Sequence, residues 1–428
     1  MIEFLFKGIV RDRSRSLFPF LTVAVGVMLT VFLYSYIKGL ENDFVESSAR
    51  FSTGHVKIMS RAYAAEAEQF PNDLAYVGIE ALVDELRREF PDMLWTPRIR
   101  FAGLLDIPDE AGETRAQGVV VGLALDLFGR ESPEWRILDI GPAVIEGRAP
   151  QGPGEILISA DLAKTLDVRP GDTASLISST MHGSMAMANF KVTGTLRFGV
   201  TAMDRGAVVA DIRDIQHALD MDDAAGEILG FYRDFLYRER EAEVLAARFN
   251  ARYEGQTQEG TSEFLPVMVT LKSQSGLADL LAMMRIFSMA VVLVFVAAMS
   301  IVLWNAGLMG SLRRYGEIGI RLAMGEDKGH LYRSLIAESM VIAVFGTVAG
   351  TAVGLAISYF IQAHGIDISS LMKSSSLMFS NVLRTQVTPV SFVIGFLPGL
   401  GATFLGTAIS GIGIYRRKTS TLMKEFEG

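Results

Sequence analysis

Two groups of residues have types and spacings that could do chemistry. The first is the segment from Arg313 to Gly325, RRYGEIGIRLAMG, which lies between two long apolar stretches. Tyr315, Ile318 and Leu322 recur at helical spacing among charged residues. A short helix of this kind is typical of a segment that docks in a groove of a soluble partner. The alternative is a connector that lies on the membrane surface and binds no partner.

The second group combines methionine with histidine, at Met181, His182, Met185 and Met187. Thioether and imidazole ligands suit soft metals such as copper. The small polar residues around the group predict a loop between strands, and methionines in such a loop make adaptable apolar contacts. We therefore favour an apolar contact surface or a plain hairpin over a metal site.

The sequence contains no other recognisable machinery for chemistry. It has no cysteine, five histidines, no nucleotide-binding G-x-x-x-x-G-K-[ST] loop and no H-E-x-x-H or G-x-S-x-G motif. We therefore predict no catalytic residue, no metal site and no cofactor bound by this chain. Any work must be powered by another protein, and a membrane enzyme is the least supported class.

The elements that position these residues begin with membrane spans. Half of the 428 residues are hydrophobic, yet 21% are charged, which favours several spans joined to a sizeable soluble domain. Each predicted span contains an uncharged run longer than the roughly 20 residues that cross a bilayer. The first run is longer than the apolar core of a signal peptide, and no small-residue cleavage site follows it. The predicted spans are residues 17–38, 285–312, 337–362 and 385–415.

Lysine and arginine near the span ends predict the orientation. Before the first span, between the second and third, and after the fourth, 13 basic residues accompany 8 acidic ones, although the whole chain has a net charge of −8. The positive-inside rule places these segments in the cytoplasm. Both termini and residues 313–336 are then cytoplasmic, and residues 39–284 and 363–384 lie outside.

The remaining segments complete a membrane α-helical protein with four transmembrane helices and a large α+β extracytoplasmic domain inserted between helices 1 and 2. Residues 1–16 predict an amphipathic helix in the cytoplasmic interface, and residues 416–428 a cytoplasmic tail. Residues 39–284 form the predicted periplasmic domain, on helical stalks continuous with the first two spans. Its predicted strands are 55–59, 155–158, 173–178, 190–196 and 207–210, and its predicted helices 79–90, 159–166, 211–219 and 239–253.

The predicted spans lack the charged residues that usually line a transport path, but they carry small residues at regular four-residue spacing. Their apolar runs contain no Asp, Glu, Lys or Arg, which argues against an ion-coupled transporter or a channel. Glycines at four-residue spacing predict close helix packing, and we favour spans 3 and 4 against each other within one chain over a dimer interface. Pro398 predicts a kink in span 4. The packing glycines are Gly346, Gly350 and Gly354 in span 3, and Gly395 and Gly399 in span 4.

Several stretches resemble one family along nearly the whole chain. GEIGIRLAMG, from Gly316 to Gly325, resembles the signature after the second span of permeases of the MacB/FtsX-like ABC transporter superfamily. EGRAP and GEILISADLAKTLDVRPGDTASL resemble its extracytoplasmic domain, and TGHVKIMSRAY is most similar to the lipoprotein-releasing LolC/LolE branch. The middle segment continues as EDK, where the family more usually has small residues.

The resemblance implies a type VII ABC transporter, in which two permeases pair with a dimer of a separately encoded ATPase that binds ATP and Mg. The middle segment would be the coupling helix, and its coupling residues would be Tyr315, Glu317, Ile318, Gly319, Arg321, Leu322 and Gly325. ATPase motion would pass to the periplasmic domain and extrude a lipoprotein or another amphiphile without a path through the membrane.

The same resemblance implies the location and the partners. The protein would be a multi-pass protein of the bacterial inner membrane, in contact with membrane lipids, a second permease copy or paralogue, lipoprotein cargo and a periplasmic chaperone. We expect no nucleic-acid partner. Two alternatives stay open: an FtsX-like regulator of a cell-wall hydrolase, and a MacB-like drug or peptide efflux permease.

Overall fold

The computed structural model describes residues 13–109, 111–129, 132–253, 262–274, 277–312, 315–367 and 382–416. Residues 1–12 and 417–428, which include most of the predicted amphipathic helix and tail, lie outside this range. The chain divides into two compact units. We name Asp43–Ala282 with Asp367–Val382 the sheet unit, and Met1–Asn42, Met283–Ile366 and Leu383–Gly428 the membrane unit.

Helices occur in both units. The α-helices are α1 (Arg13–Ser48), α2 (Arg61–Ala65), α3 (Ile79–Glu89), α4 (Glu134–Ile137), α5 (Ile140–Ala143), α6 (Ala160–Leu166), α7 (Thr201–Asp204), α8 (Ile212–Leu219), α9 (Glu239–Asn250), α10 (Leu277–Leu312), α11 (Tyr315–Ala323), α12 (Lys328–His364) and α13 (Thr403–Arg416). Two π-helical turns, Ala49–Thr53 and Leu397–Ala402, continue or precede them.

The strands are short except for three. They are β1 (Val56–Ser60), β2 (Tyr76–Val77), β3 (Met93–Pro108), β4 (Thr114–Leu125), β5 (Val144–Gly147), β6 (Glu155–Ser159), β7 (Thr173–Ser179), β8 (Met185–Leu196), β9 (Ala207–Asp211), β10 (Ala224–Ala225), β11 (Glu227–Tyr232), β12 (Pro266–Thr270), β13 (Ile366–Asp367) and β14 (Val382–Leu383).

Four helical segments are long and apolar enough to cross a membrane: Leu17–Thr53, Leu277–Asn305, Lys328–His364 and Pro389–Ile409. Their positions along the chain confirm four transmembrane helices with a large domain between the first and the second. Both α1 and α10 extend beyond their uncharged runs, as expected for helical stalks. The fourth segment is irregular, because the π-helical turn contains Pro398, which cannot donate a backbone hydrogen bond.

Small residues bring helices of the membrane unit together, in the predicted pairing of spans 3 and 4 and also between spans 1 and 3. A Cβ on Gly346 would lie 2.9 Å from Val23 Cβ, and one on Gly354 would lie 3.0 Å from the Met28 carbonyl oxygen. The glycines of the third span therefore face the first span, α1. The expectation that spans 3 and 4 pack against each other within one chain is confirmed for the glycines of span 4, since a Cβ on Gly399 would collide with Thr347 of α12. The glycines of span 3 themselves face α1, which was not predicted.

The fourth span meets side chains of the first and third spans. A Cβ on Gly395 would lie 2.6 Å from Val27 Cγ1 and 3.4 Å from Thr351 Oγ1. The Tyr332 hydroxyl of α12 donates to the Ala408 carbonyl oxygen at 3.2 Å. Close backbone approach thus holds three spans of one chain together.

The sheet unit contains a ten-stranded mixed sheet in the order β12-β1-β11-β3-β4-β9-β6-β8-β5. β7 pairs with both β3 and β8, so that β3, β4, β9, β6, β8 and β7 form a closed ring. The β4–β9 and β6–β8 pairs are parallel, and the other pairs in the ring are antiparallel. β3 closes the ring because it is long enough to pair with β11 over its first half and with β7 over its second.

Alternation along the strands directs one set of side chains into the ring and another outward. Phe101, Leu105, Val120, Leu176 and Phe190 belong to the buried inner core. Gly122 lies opposite Phe101, and its missing Cβ leaves room for the phenyl ring. A second core covers part of the outer surface, where α4 and α5 pack on β4, β6 and β9.

The predicted strands 55–59, 155–158, 173–178, 190–196 and 207–210 correspond to β1, β6, β7, β8 and β9, and the four predicted helices to α3, α6, α8 and α9. The sequence did not predict β3 and β4, which are the longest strands of the ring together with β8.

Candidate functional site

The predicted coupling segment forms a short helix with a well-defined end. α11 runs from Tyr315 to Ala323 and is followed by Gly325, whose φ of 92° lies in the left-handed region. The Gly325 amide donates to the Leu322 carbonyl oxygen at 3.1 Å, and the Glu326 amide to that of Arg321 at 3.1 Å. This pair of hydrogen bonds is a Schellman motif, which requires a residue that tolerates positive φ. Gly325 therefore fixes where the helix ends.

An ion pair links the last turn of α11 to the residue after the cap. Arg321 donates to the two carboxylate oxygens of Glu326, from Nε at 2.8 Å and from Nη2 at 3.1 Å. The carboxylate of Asp327 accepts from the amides of Gly329 and His330 and caps the following helix, α12. The direction of the chain between the two helices is thus set by side-chain contacts.

The predicted coupling residues differ in exposure. Tyr315, Glu317 and Ile318 lie on α11, and their side chains are outside the described part of the chain. Gly319 is buried and Leu322 half-buried, whereas the Arg321 side chain is 38% exposed. Ile320 and Met324, which the sequence did not single out, are 48% and 75% exposed. They add apolar surface to the end of this helix.

A second arrangement, not predicted from the sequence, lies in the sheet unit where α1 ends. Arg98 donates to Glu134 from Nε and Nη2, both at 2.8 Å, and from Nη1 to the carbonyl oxygen of Arg50 at 2.6 Å. Thr96 also donates to Glu134, at 2.7 Å. Arg50 belongs to the π-helical turn that follows α1. β3 and the first residue of α4 therefore hold this turn through buried charged side chains.

Two more side chains hold the same turn. Arg100 Nη1 donates to Ser52 Oγ at 3.1 Å, and Gln274 Nε2 donates to the Thr53 carbonyl oxygen at 3.0 Å. Gln274 follows β12 and precedes α10 in the chain. We name the set Arg50, Ser52, Thr53, Arg98, Arg100, Glu134 and Gln274 the helix-to-sheet joint. A groove of about 320 Å³ beside it is lined in part by Ser52, Lys57 and Arg100.

Buried charges next to the joint pair with one another. Lys57 Nζ lies 2.7 Å from Glu227 Oε1, and both side chains are almost fully buried. Burial lowers the pKa of Lys57 below its ordinary value, and the nearby carboxylate of Glu227 opposes that shift. A charged pair in this setting costs free energy to desolvate, and the fold is strongly destabilised when one partner is removed.

The environment of His55 keeps its ring neutral. Its Nδ1 accepts a hydrogen bond from the Tyr232 amide at 3.0 Å. Burial lowers the pKa of His55 from 6.5 to about 4, with Asp234 acting in the opposite direction. The ring also lies among Phe231, Tyr232 and Tyr237, at centroid distances between 5.3 and 5.8 Å. His55 is therefore part of the packing between β1 and β11.

The methionine–histidine group does not converge. Residues Thr180 to Ser184 form the turn of the β7–β8 hairpin, closed by a hydrogen bond from the Thr180 amide to the Ser184 carbonyl oxygen at 2.7 Å. Met181 packs against the inner core, whereas Met185 and Met187 are 79% and 65% exposed on β8. Within the described ranges no group of three or more His, Asp or Glu side chains is placed to hold a metal ion. The hairpin interpretation is confirmed.

The sequence carried a weak signal for the buried charges. Lys57 lies within the predicted strand HVKIM, and Arg98 and Arg100 lie among apolar residues of TPRIRF. A charged residue inside such a strand often has a buried partner. The partners Glu134 and Glu227 are distant in sequence, so spacing could not identify them.

Comparison with known proteins gives a matching family model for each half of the chain. Residues 16–250 match the family model described as MacB-like periplasmic core domain, and residues 289–419 match the FtsX-like permease C-terminal model. The macrolide export ATP-binding/permease protein MacB of Hyphomonas neptunium is 31% identical over 123 residues, which are 28% of this chain and 18% of that protein.

The lipoprotein-releasing system transmembrane protein LolC of Xylella fastidiosa is 26% identical over 217 residues, which are 49% of each chain. The chain thus spans about half the length of LolC and less than a fifth of MacB. The solved periplasmic region of MacB from Actinobacillus actinomycetemcomitans has a TM-score of 0.34 at 9% identity, with 52% of this chain and 91% of that one covered. Because the MacB-like model alone matches more than half of the chain, the protein belongs to the MacB/FtsX-like family of ABC transporter permeases.

Proposed function

We propose that this protein is the permease subunit of an ATP-driven transporter that extracts or exports a lipoprotein or another amphiphile. A separately encoded ATPase dimer drives it, and this chain hydrolyses no ATP. The observation that carries the proposal is α11, a capped helix with exposed apolar side chains between two helices of membrane-spanning length. A second permease, identical or related, completes the transporter.

The geometry of α11 suits docking in a groove of the ATPase. Ile320 and Met324 present apolar surface, and Arg321 presents charge beside them. A helix that inserts such a face into a groove gains affinity from a few anchors at helical spacing. The Schellman motif and the Arg321–Glu326 pair hold the helix at a defined angle to the chain that follows, so movement of the ATPase would be passed on rather than absorbed.

The helix-to-sheet joint supplies the other end of this transmission. The turn after α1 is held by Arg98, whose side chain is fully buried and whose three nitrogens all donate hydrogen bonds. Buried, charge-assisted hydrogen bonds resist displacement more than surface pairs do. We infer that movement of α1 reaches the sheet unit through this joint.

Two features support an amphiphile as the cargo, and a third supports the location of the protein. The spans contain no charged residue in their apolar runs, so a hydrophilic path through them lacks its usual lining. The match with LolC covers 49% of this chain, and that relative's name assigns it to lipoprotein release. The basic residues near the span ends support an inner-membrane protein with α11 and both termini in the cytoplasm and the sheet unit in the periplasm.

Charge reversal on α11 tests the coupling. The complex with its ATPase is reconstituted, and ATP hydrolysis is measured together with release of an acylated cargo protein. We expect Arg321→Glu combined with Glu317→Lys to leave ATP hydrolysis running while release falls at least tenfold. Unchanged release would contradict a coupling role for α11.

A matched pair of variants separates docking from helix stability. Arg321→Glu places two carboxylates together at Glu326, whereas Arg321→Glu with Glu326→Arg restores an ion pair in the reverse direction. If α11 contacts the ATPase through Arg321, the double variant regains thermal stability but not release. Recovery of both would assign Arg321 to the helix end alone.

A MacB-like efflux permease is the second candidate, favoured by the 31% identity to a macrolide exporter. That relative's name describes an ATP-binding/permease protein, and residues 16–250 match the core domain named after it. Reconstituted complex that exports a macrolide, but does not release an acylated protein, would select this candidate. Capture of a cell-wall hydrolase by the sheet unit, without acylated protein, would favour the FtsX-like alternative.

A further inference from the structure

One row of apolar side chains crosses four strands of the ring on its outer surface. Val119 of β4 lies opposite Leu104 of β3, Leu104 lies opposite Ile177 of β7, and Ile177 lies opposite Met187 of β8. Directly opposed residues of antiparallel strands project from the same face and are close neighbours. The four side chains therefore form one continuous line.

A second line runs beside the first, two residues along each strand. It includes Val121, which lies opposite Ala102, and Met185, which lies opposite Ser179. We name the six larger side chains the apolar stripe: Leu104, Val119, Val121, Ile177, Met185 and Met187. The most exposed are Met185 at 79%, Val119 at 78% and Met187 at 65%.

The stripe continues a surface that is covered elsewhere on the ring. Leu123 follows Val121 on the same face of β4 and is 2% exposed, because the second core lies over it. The second core does not extend over Val121 and Val119, which are exposed. A domain in water seldom leaves a contiguous apolar band bare, and such bands commonly mark a binding site.

A polar row borders the stripe and satisfies its own hydrogen bonds. Gln117 Nε2 donates to Asp106 Oδ1 at 2.9 Å, and Ser175 Oγ donates to Asn189 Oδ1 at 2.8 Å. Asp106 lies opposite both Gln117 and Ser175, so this row crosses the same four strands as the stripe. Two residues along each strand, the surface thus changes from hydrogen-bonded polar side chains to apolar side chains.

The dimensions of the stripe indicate its occupant. Four strands at a spacing of about 4.8 Å make it about 14 Å long, and its two lines lie about 7 Å apart. Such a band is several times smaller than the roughly 800 Å² per partner that a stable protein complex buries. It offers no charge and, in methionine, a side chain that adapts to an irregular hydrocarbon. A narrow, uncharged, adaptable band fits an alkyl chain better than a protein surface.

A polar groove adjoins one end of the stripe. It has a volume of about 530 Å³ and shares Ala102 and Ser179 with the second line. Asn72 and Asp73 also line it, and Asp73 is exposed. Hydrocarbon surface next to a groove with an exposed carboxylate matches an amphiphile whose polar part carries N–H or O–H donors.

We propose that the apolar stripe binds an acyl chain of a lipid-modified peptide or protein, with its donor-bearing polar end in the groove beside Asp73. This assignment rests on the proposed function, for which it names the contact between the sheet unit and its cargo.

The absence of native cysteine permits a direct binding test. Ser179→Cys carries an environment-sensitive fluorophore in the full chain, held in amphipol without ATPase or ATP. The probes are a monopalmitoylated peptide, the same peptide without the acyl group, and a lysophospholipid with the same chain. We expect a saturable blue shift with the acylated peptide and none with the unmodified one. A lysophospholipid that binds as tightly as the acylated peptide would overturn the assignment to cargo.

A matched substitution elsewhere on the sheet unit controls the result. Val119→Ser with Met187→Ser should weaken binding of the acylated peptide at least tenfold, since both changes put hydroxyls into the stripe. Val244→Ser on α9, where the valine is 66% exposed, should not change the affinity. Equal affinity of the stripe variant and the parent would overturn the proposal. Because binding is measured without ATP, failure of ATP-coupled release in the same variants is a separate result that concerns the proposed function.

Discussion

The carboxylate of Glu134 receives two parallel hydrogen bonds from the guanidinium of Arg98, each 2.8 Å long, where both side chains are fully buried. The remaining nitrogen of Arg98 donates to the Arg50 carbonyl oxygen. One ion pair thus connects β3, the segment at the start of α4 and the turn after α1. The connection therefore depends on contact among all three segments: β3, the start of α4 and the turn after α1.

Glu134→Gln should destabilise the sheet unit strongly. It removes the counter-charge from a desolvated guanidinium, and the cost of breaking a buried pair is about 3–5 kcal/mol. Limited proteolysis of the full chain during heating should show earlier cleavage within residues 43–282. Arg148→Gln breaks an exposed ion pair with Glu155 and should have a far smaller effect on the same cleavage. Equal effects of the two variants would contradict a structural role for the buried pair.

Replacing both partners should cost less than replacing one. Arg98→Met with Glu134→Leu leaves no unpaired charge in the core, and such apolar substitutions of buried pairs are often close to neutral. Its thermal stability should lie well above that of Glu134→Gln. If the joint transmits motion, the double variant should nevertheless release less cargo in the reconstituted complex, because the contact with the Arg50 carbonyl oxygen is lost.

Gly325→Ala should loosen the end of α11. An alanine in the left-handed region is strained by about 1–2 kcal/mol. The φ of Gly325 is 92°, although no described atom lies within 4 Å of the position of an added Cβ. We expect less cargo released per ATP hydrolysed, since the angle between α11 and α12 is less defined. Gly329→Ala, within α12, is the control. It should leave the amount of cargo released per ATP hydrolysed unchanged, and it should leave the stability of the protein unchanged or slightly raised. A normal ratio for Gly325→Ala would show that the cap is not needed for coupling.

Gly350→Leu should separate the first and third spans. A Cβ at Gly350 would already collide with the backbone of Ala24, and overpacking of this kind costs about 1–3 kcal/mol. The melting temperature in detergent should fall. At Gly401 no described atom lies within 4 Å of the position that a Cβ would take, so Gly401→Ala should be tolerated. Similar melting temperatures for both variants would contradict close packing of these spans.

Acidification should destabilise the sheet unit through His55. Its pKa in the folded protein is about 4, below the 6.5 of an exposed histidine, so the unfolded chain binds a proton first as pH falls. Stability from this residue is complete above pH 6.5, declines between pH 6.5 and 4, and changes no further below pH 4. The loss is on the order of 3 kcal/mol. Melting temperatures measured across this range should fall less for His55→Gln than for the parent, and equal slopes would contradict the prediction.

Local patterns explain the elements that were predicted and those that were missed. β1 and β9 are short apolar runs, which predict buried strands without further context. β3 contains Pro97, two arginines and Asp106, and β4 contains Gly118 and Gly122, and these residues interrupt the pattern of a strand. Both strands form because residues on other elements compensate for these unfavourable residues. Glu134 pairs with Arg98, and Gly122 leaves room for the ring of Phe101.

The glycine spacing in the third span predicted a smooth helix face but not its partner. Spacing along one helix defines which residues share a face. It carries no information about which other helix lies there, and the groove of Gly350 receives α1 rather than span 4. The same limit applies to α11, whose helical nature follows from the sequence while its end depends on the Schellman hydrogen bonds.

The sequence by itself determined the four spans, the large domain between the first two, and the helix that follows the second. These depend on hydrophobic length, charge and periodicity, which are properties of neighbouring residues. Only the tertiary structure decided that Arg98 meets Glu134, 36 residues away, and that Val119, Leu104, Ile177 and Met187 form one line. Strand register and ring closure bring such residues together, and these arise from the packing of the whole domain rather than from any local pattern.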